Sequence, residues 1–104
     1  MVRRSAKKSL DKDVIISHLR AHKRYMKNKF GLTKIALFGS YARGEQGKAS
    51  DIDLLIEMKK HDFDKRCELQ EFLEHEFGKK VDVSYFGSVR GFIMEHIKED
   101  IIYA

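Results

Sequence analysis

The sequence has no proline and no tryptophan, and it contains one cysteine among 104 residues. Cys67 therefore has no partner for an internal disulfide and no neighbouring cysteine for a zinc cluster, which indicates a reducing compartment. Because low-complexity stretches are also missing within the chain, nothing marks a boundary between domains. This length fits one hydrophobic core, and the sequence predicts a single domain over residues 1–104 without a second lobe for selecting a substrate.

Long apolar runs are missing as well. No stretch approaches the roughly 20 residues needed to span a bilayer. The N-terminus is basic and lacks the apolar stretch of a signal peptide. We therefore expect a cytoplasmic protein with no membrane partner.

Basic residues are concentrated at one end of the chain. Residues 1–30 carry ten Lys or Arg against two Asp, whereas residues 31–104 have a net charge of −3. Residues 1–9 are predicted to form a basic tail, and the pattern does not decide whether this tail is ordered. Such a segment can meet nucleic acid or an acidic protein face, or it is simply a solvated surface.

Hydrophobic spacing and turn signals predict alternating helices and strands. Apolar residues recur every three or four positions between Ser9, a candidate N-cap, and Gly31, a helix stop. These signals favour a small α/β (α+β) fold, with a mixed sheet of about three strands covered by helices. The predicted elements are a helix over about 10–30, a strand over 34–38, a short helix over 41–43, a strand over 51–57, a helix over about 62–77, a strand over 81–85 and a helix over about 88–102.

Three aspartates occupy strand positions, where an unpaired negative charge is costly to bury: Asp51, Asp53 and Asp82. Strand alternation places Asp51 and Asp53 on one face. No Lys or Arg lies at a neighbouring alternate position in either strand, and a divalent cation, which prefers carboxylate oxygens, is the simplest compensating charge. Asp82 reaches the same site only if its strand pairs beside theirs.

Gly39 and Ser40 follow a strand directly and open a short helix. Glycine lets the backbone approach a ligand closely, a helix start presents free N–H groups to anions, and the serine hydroxyl adds a donor. This pattern predicts a phosphate-binding turn. A P-loop is excluded, because Gly44 is followed by Glu45 where that motif needs lysine.

Residues around this turn are further candidates. Arg43 lies one helical turn beyond Ser40, where it either faces a leaving pyrophosphate as a nucleotide-binding residue or packs its stem on the surface. Tyr41 is either an aromatic on the substrate side or a packed one. Lys48 is a weaker phosphate candidate, and Ser50 is more typical of a turn or cap than of a ligand.

His18 and His22 are four residues apart on the first predicted helix and therefore share a face. A metal pair is conceivable, but no third ligand is evident in the sequence. His22 also completes an apolar stripe. The pattern therefore favours a position at the edge of the core or on the surface.

The phosphate turn and the paired aspartates are separated by ten residues, within the segment GSYARGEQGKASDIDLLIE. This segment resembles the signature of the DNA polymerase β-like nucleotidyltransferase superfamily. The short chain, the Ala-Arg-Gly after Gly-Ser-x and the Ser before Asp-x-Asp resemble, more narrowly, the minimal nucleotidyltransferases encoded beside HEPN-domain proteins. The resemblance is densest over residues 32–57 and extends through the third aspartate to most of the chain.

The resemblance implies a role for each signature residue. Gly39 and Ser40 match the positions that hold the β- and γ-phosphates of ATP. Asp51 and Asp53 match the paired magnesium ligands. Asp82 matches the third catalytic carboxylate, which also holds metal near the attacking hydroxyl. Two Mg²⁺ ions and ATP are therefore the expected cofactor and substrate, on the DNA polymerase β-like nucleotidyltransferase fold.

The resemblance also implies a partner. A minimal nucleotidyltransferase of this kind is expected to move AMP from ATP to a hydroxyl, expected to be that of a tyrosine, on a HEPN ribonuclease toxin. The chain would then be a type VII-like antitoxin in a hetero-oligomer. Two alternatives stay open: an antitoxin that neutralises the toxin by binding alone, and nucleotidyl transfer to RNA or a small molecule. RNA is favoured less, because no aromatic-basic platform of recognisable form is present.

Overall fold

The computed structural model describes residues 10–89 and 91–104, apart from the side chains of Phe92, Ile93 and His96. The predicted basic tail and its candidate cap Ser9 lie outside the described residues. A 3₁₀ turn over Phe86–Ser88 precedes the last described helix. The elements in chain order are α1 (Lys12–Ala21), α2 (Lys23–Phe30), β1 (Leu32–Phe38), α3 (Gly39–Arg43), β2 (Ile52–Met58), α4 (Phe63–Phe77), β3 (Val81–Tyr85), α5 (Gly91–Ile97) and β4 (Ile102–Tyr103).

The sheet is mixed, as the sequence predicts, and has the strand order β3-β2-β1-β4. β1 is antiparallel to both β2 and β4, whereas β2 and β3 are parallel. The parallel pair is joined by α4, because parallel neighbours need a crossover that a tight turn cannot provide. The described residues therefore form four strands, one more than the sequence predicts.

The predicted helix over 10–30 is two helices. Asp11 caps the first, since its side chain accepts a hydrogen bond of 2.9 Å from the backbone N–H of Val14. The chain turns at His22, which has φ −105° and ψ 7° and ends α1 before α2 begins. The apolar spacing continues through this residue, and periodicity alone therefore does not reveal the break.

The predicted helix over 88–102 is wrong in its second half. α5 ends at Ile97, and the chain then extends into β4. Ile102 and Tyr103 pair with Leu37 and Ala36 on the edge of β1 that β2 leaves uncovered. Edge pairing satisfies backbone groups of β1 that would otherwise face solvent, and this explains why the chain end leaves the helix.

One face of the sheet carries the main core. β2 alternates, with Ile52, Leu54 and Ile56 buried against the layer of α1, α2 and α4. Leu55 points to the opposite face and is buried there beside Ala36, its partner on β1. Fully buried residues of the main core also include Ile15, Leu19, Met26, Ile35, Leu37, Leu69, Leu73 and Val81.

Among the described residues, no helix is both long enough and apolar enough to cross a bilayer.

Candidate active site

The register of the parallel strands brings two of the predicted aspartates together. Asp53 on β2 is paired with Asp82 on β3, and neighbouring strands lie about 4.8 Å apart. Asp51 comes directly before β2, two residues from Asp53, and is close enough for its charge to act on the Asp53 carboxyl. The three carboxylates that the sequence singled out thus lie at one end of two adjacent strands, on the face opposite the main core.

Gly39 begins α3 directly against this cluster. The preceding residue, Phe38, pairs with Asp53 across the two antiparallel strands. A Cβ atom at Gly39 would overlap Oδ2 of Asp53 and come within 3.1 Å of its Cγ. Gly39 also has φ +79°, a conformation that side chains with a Cβ rarely adopt. Both constraints require glycine here, and they place the backbone of the turn against the carboxylate.

The carboxylates repel one another. The pKa of Asp53 is raised from its ordinary value of 3.8, first by burial and then by the charges of Asp82 and Asp51, while Arg43 acts in the opposite direction. Asp51 and Asp53 are half-buried and Asp82 is exposed. Three carboxylates gathered in a partly buried place suit a divalent cation, which would supply the missing positive charge.

Arg43 ends α3 at the rim of this cluster. Its Nε donates a hydrogen bond of 3.0 Å to Oε1 of Glu45. The arginine side chain is 39% exposed and its charge still reaches Asp53. Glu45 was not singled out in the sequence, because an acid two residues after an arginine is too common a pattern to carry a signal. The pair holds a cationic group beside the aspartates.

The other residues that the sequence analysis names near this turn differ in burial and in hydrogen bonding. Ser40 is half-buried in the first turn of α3. Tyr41 is only 3% exposed and belongs to the main core, so of its two interpretations the packed one describes its position. Ser50 accepts a 2.9 Å hydrogen bond from the backbone of Gly47, as a turn residue does. The side chain of Lys48 is exposed on the same loop.

Comparison with known proteins extends these observations. The family of nucleotidyltransferase domains matches residues 19–104. A Methanocaldococcus jannaschii protein provisionally named a protein adenylyltransferase is 44% identical over 89 residues, which cover 82% of this chain and 89% of the relative. Protein adenylyltransferase MntA of Thermococcus cleftensis is 36% identical over 90 residues, which cover 86% of this chain and 91% of MntA.

Solved structures agree with these relatives. A protein provisionally described as a minimal nucleotidyltransferase superposes with a TM-score of 0.68 at 25% identity, covering 91% of this chain and 97% of that one. A toxin–antitoxin complex with AMP-PNP contains a chain of 32% identity and TM-score 0.56, covering 81% of this chain and 64% of that one.

Fold, site and comparisons together define an enzyme of the nucleotidyl-transfer class. The chain belongs to the nucleotidyltransferase domain family, which matches most of its length. The resemblance to minimal nucleotidyltransferases, and with it the expected DNA polymerase β-like fold, is confirmed.

Proposed function

We propose that this nucleotidyltransferase transfers AMP from ATP, in the presence of Mg²⁺, to a tyrosine hydroxyl of a HEPN-domain toxin and is thereby the antitoxin of that toxin. The observation that carries the proposal is the register that sets Asp53 beside Asp82, with Asp51 two residues away and Gly39 against them. The likeness to MntA and to a toxin–antitoxin complex with AMP-PNP supports the nucleotide and the partner.

The turn after β1 binds the triphosphate in this proposal. Phe38, which precedes α3, provides no side-chain hydrogen bond to the start of the helix. The backbone N–H groups of Gly39 and Ser40 can therefore meet phosphate oxygens, and the Ser40 hydroxyl adds a donor. Arg43 exchanges its contact with Glu45 for the leaving pyrophosphate.

Asp51, Asp53 and Asp82 are the residues that would hold two Mg²⁺ ions. The fit rests on the donor set, because the three side chains offer only carboxylate oxygens. The pKa of Asp53 is raised by burial and then by the other two charges, and a cation would offset both effects. Bound Mg²⁺ stabilises negative charge on the attacking and leaving oxygens of a phosphoryl group.

Asp82 is the most exposed of the three carboxylates and therefore the best placed to meet an acceptor that arrives from outside. It takes the proton of the tyrosine hydroxyl while the phenolic oxygen forms a bond to the α-phosphorus. The bond from the α-phosphorus to the bridging oxygen breaks, and pyrophosphate leaves. In this proposal the toxin delivers its tyrosine to the exposed side of Asp82.

Mass spectrometry of the partner tests the proposal. The chain is incubated with ATP, MgCl₂ and the HEPN-domain protein of the neighbouring gene, and the partner is expected to gain the mass of one or more AMP groups on tyrosine. With Asp51→Asn and Asp53→Asn combined, the transfer rate falls at least about 1000-fold, because transition-state stabilisation of several kcal/mol is lost. Asp64→Asn, an exposed acid on α4, is the matched control and leaves the rate unchanged.

Cell growth separates the proposal from its alternatives. Cells that express the toxin grow with the wild-type chain and stop growing with the double Asn variant if protection is catalytic. Growth with the double variant would show that binding alone neutralises the toxin. Label from ATP that appears on RNA, with an unmodified partner, would contradict the choice of acceptor.

A further inference from the structure

A second cluster of ligand atoms lies away from the carboxylates, where the α1–α2 junction meets the last turn of α4. Nε2 of His18 is 2.8 Å from Oε1 of Glu76, and Nε2 of His22 is 3.8 Å from the same oxygen. One ligand atom from each of the three residues lies within 4.8 Å of the others. The sequence offered no third ligand for the histidine pair, and the fold supplies one from 54 or more residues away along the chain.

The hydrogen bonds of His22 prepare it to ligate a metal. Its Nδ1 is 3.0 Å from the backbone carbonyl of His18. A carbonyl only accepts, which means that Nδ1 donates this hydrogen bond, and in the neutral ring Nε2 then has a free lone pair on the side of Glu76. A ligating histidine in a metalloprotein typically donates its second ring N–H to such a carbonyl, which fixes tautomer and orientation.

Aromatic packing holds the two imidazoles in place. The rings of His18 and His22 are stacked, with centroids 4.4 Å apart and planes 22° from parallel. Phe77 lies 5.1 Å from the His18 ring, and Phe72 lies 5.8 Å from the His22 ring. All three ligand side chains are 25–35% exposed, so the cluster is sheltered but open to solvent on one side.

An ordinary ion pair explains only part of this arrangement. The 2.8 Å contact accounts for His18 and one oxygen of Glu76. It does not account for His22, because 3.8 Å is too long for a hydrogen bond to that oxygen. Two stacked imidazoles beside one carboxylate would also repel each other if both were protonated, whereas a shared cation uses both of their lone pairs.

We propose that His18, His22 and Glu76 bind one divalent transition-metal ion of the Zn²⁺ class, with water completing the coordination. Tetrahedral Zn²⁺ at its usual bond lengths places ligand atoms about 3.4 Å apart, and the observed 2.8 and 3.8 Å fall on either side of that spacing. His18 ligates through Nε2 once its proton has moved to Nδ1. Two imidazoles and one carboxylate select Zn²⁺, Ni²⁺ or Cu²⁺ over Mg²⁺.

This site differs in chemistry and in place from the proposed Mg²⁺ site. It joins the α1–α2 junction to the C-terminal end of α4, which leads into β3. Glu74, two residues before Glu76, already anchors that segment by accepting a 3.1 Å hydrogen bond from the backbone of Val81. A bound ion therefore links the α1–α2 junction to α4, and none of its ligands belongs to the proposed transfer site.

Thermal unfolding with ZnCl₂ tests the site. When the free Zn²⁺ concentration is about a hundred times the dissociation constant, the midpoint temperature of unfolding is expected to rise by about 10 °C. Titration calorimetry is expected to show that one ion binds to each chain. His22→Gln removes both effects. His75→Gln, the same change at an exposed histidine next to Glu76 on α4, is the matched control and leaves both unchanged.

Two further variants keep the proposal falsifiable. Glu76→Gln keeps an acceptor for His18 while removing the carboxylate charge, and it is expected to weaken Zn²⁺ binding at least tenfold in a chain that still folds. The Asp51→Asn, Asp53→Asn double variant is expected to bind Zn²⁺ as the wild type does. A midpoint that does not move, a His22→Gln chain that responds like the wild type, or a Zn²⁺ response that disappears only in the double Asn variant would overturn the proposal.

Discussion

The two faces of β2, an inner strand of the sheet, have opposite effects on stability. On one face, Ile52, Leu54 and Ile56 are fully buried against the helix layer. On the other, Asp53 stands beside Asp82 at the same end of the sheet. Burial of apolar area stabilises the folded chain by about 25 cal/mol for each Å², whereas carboxylates brought together in a partly buried place destabilise it.

The difference indicates which face serves stability and which serves a ligand. Apolar residues on the core face need no further explanation, because their burial alone favours folding. Burial, and then the charges of Asp82 and Asp51, raise the pKa of Asp53, and the ionised carboxyl thus opposes folding of the chain without a bound cation. Natural proteins retain such costs where activity requires them. The substitutions below separate the two faces by whether stability or transfer changes.

The largest expected effect on stability comes from the core face. Leu54→Ala removes a fully buried side chain and is expected to lower the free energy of unfolding by about 2–5 kcal/mol, measured by urea denaturation. Phe63→Ala, at a side chain that is 69% exposed, is the control and stays within about 0.5 kcal/mol of the wild type. A Leu54→Ala chain of unchanged stability would contradict the assignment of this face to the core.

A glycine substitution probes the site face next. Gly39→Ala is expected to lower nucleotide transfer about 100-fold, close to 2.7 kcal/mol, because the new methyl overlaps Asp53 and displaces it. Gly44→Ala is a closely matched control: Gly44 has φ +72°, like the +79° of Gly39, yet a Cβ there meets no described atom within 4 Å.

Both alanines should cost about 1–2 kcal/mol of stability through the left-handed backbone. Only the substitution at Gly39 should impair transfer, as measured by initial rates corrected for folded fraction. Equal transfer rates in the two variants would mean that the contact with Asp53 is irrelevant to the site.

Arg43 provides a smaller effect. Arg43→Gln is expected to reduce transfer about tenfold, the value of one charge-assisted contact to a phosphate oxygen. Glu45→Gln, which removes the partner of Arg43 and not the cation, is expected to leave transfer unchanged or raise it, because Arg43 no longer has to leave its carboxylate. The opposite ranking of the two variants in a steady-state assay would show that Glu45, rather than Arg43, serves the reaction.

Local signals in the sequence predict part of the site face. Alternation in β2 separates the aspartates from the isoleucines, and a glycine directly after a strand marks the close approach at Gly39. The adjacency of Asp82 to Asp53 depended on a condition that the sequence left open, that β3 pairs beside β2. The described register meets that condition. The alternation and the glycine turn depend on neighbouring residues, which short-range patterns record, whereas the pairing of β3 with β2 does not.

Contacts between residues far apart in the sequence could not be predicted from local patterns. The break at His22 lies where the helix meets Glu76, and no local pattern connects these residues. β4 forms because β1 has an edge to cover, although Ile97 and Ile101 continue a helical spacing toward it. Arg43 was ambiguous for a different reason: its partner Glu45 is only two residues away, and such a local pair is too common to mark a ligand-binding arginine. The helix break at His22 and the strand β4 could not be predicted, because both depend on contacts with distant parts of the chain.

Asp53→Asn tests the cost of the site face directly. The pKa of Asp53 is higher in the folded chain than the value of 3.8 in the unfolded chain. The protonated carboxyl therefore stabilises the folded chain below pH 3.8, and this contribution is lost as the pH rises through the pKa of the folded state. In buffer with EDTA, the Asn variant is therefore expected to melt a few degrees above the wild type at neutral pH. That advantage should shrink as the pH falls and vanish well below pH 3.8, where the carboxyl is protonated in both states.

Saturating Mg²⁺ should reverse the order of the two melting temperatures, because the ion stabilises the chain that keeps all its carboxylates. Glu99→Gln, at an exposed acid in the turn after α5, is the control for a change of net charge alone and is expected to show neither effect. An Asn variant that melts below the wild type at neutral pH without divalent cations would mean that Asp53 supports the fold. The two faces of β2 would then both serve stability, and the distinction between them would fail.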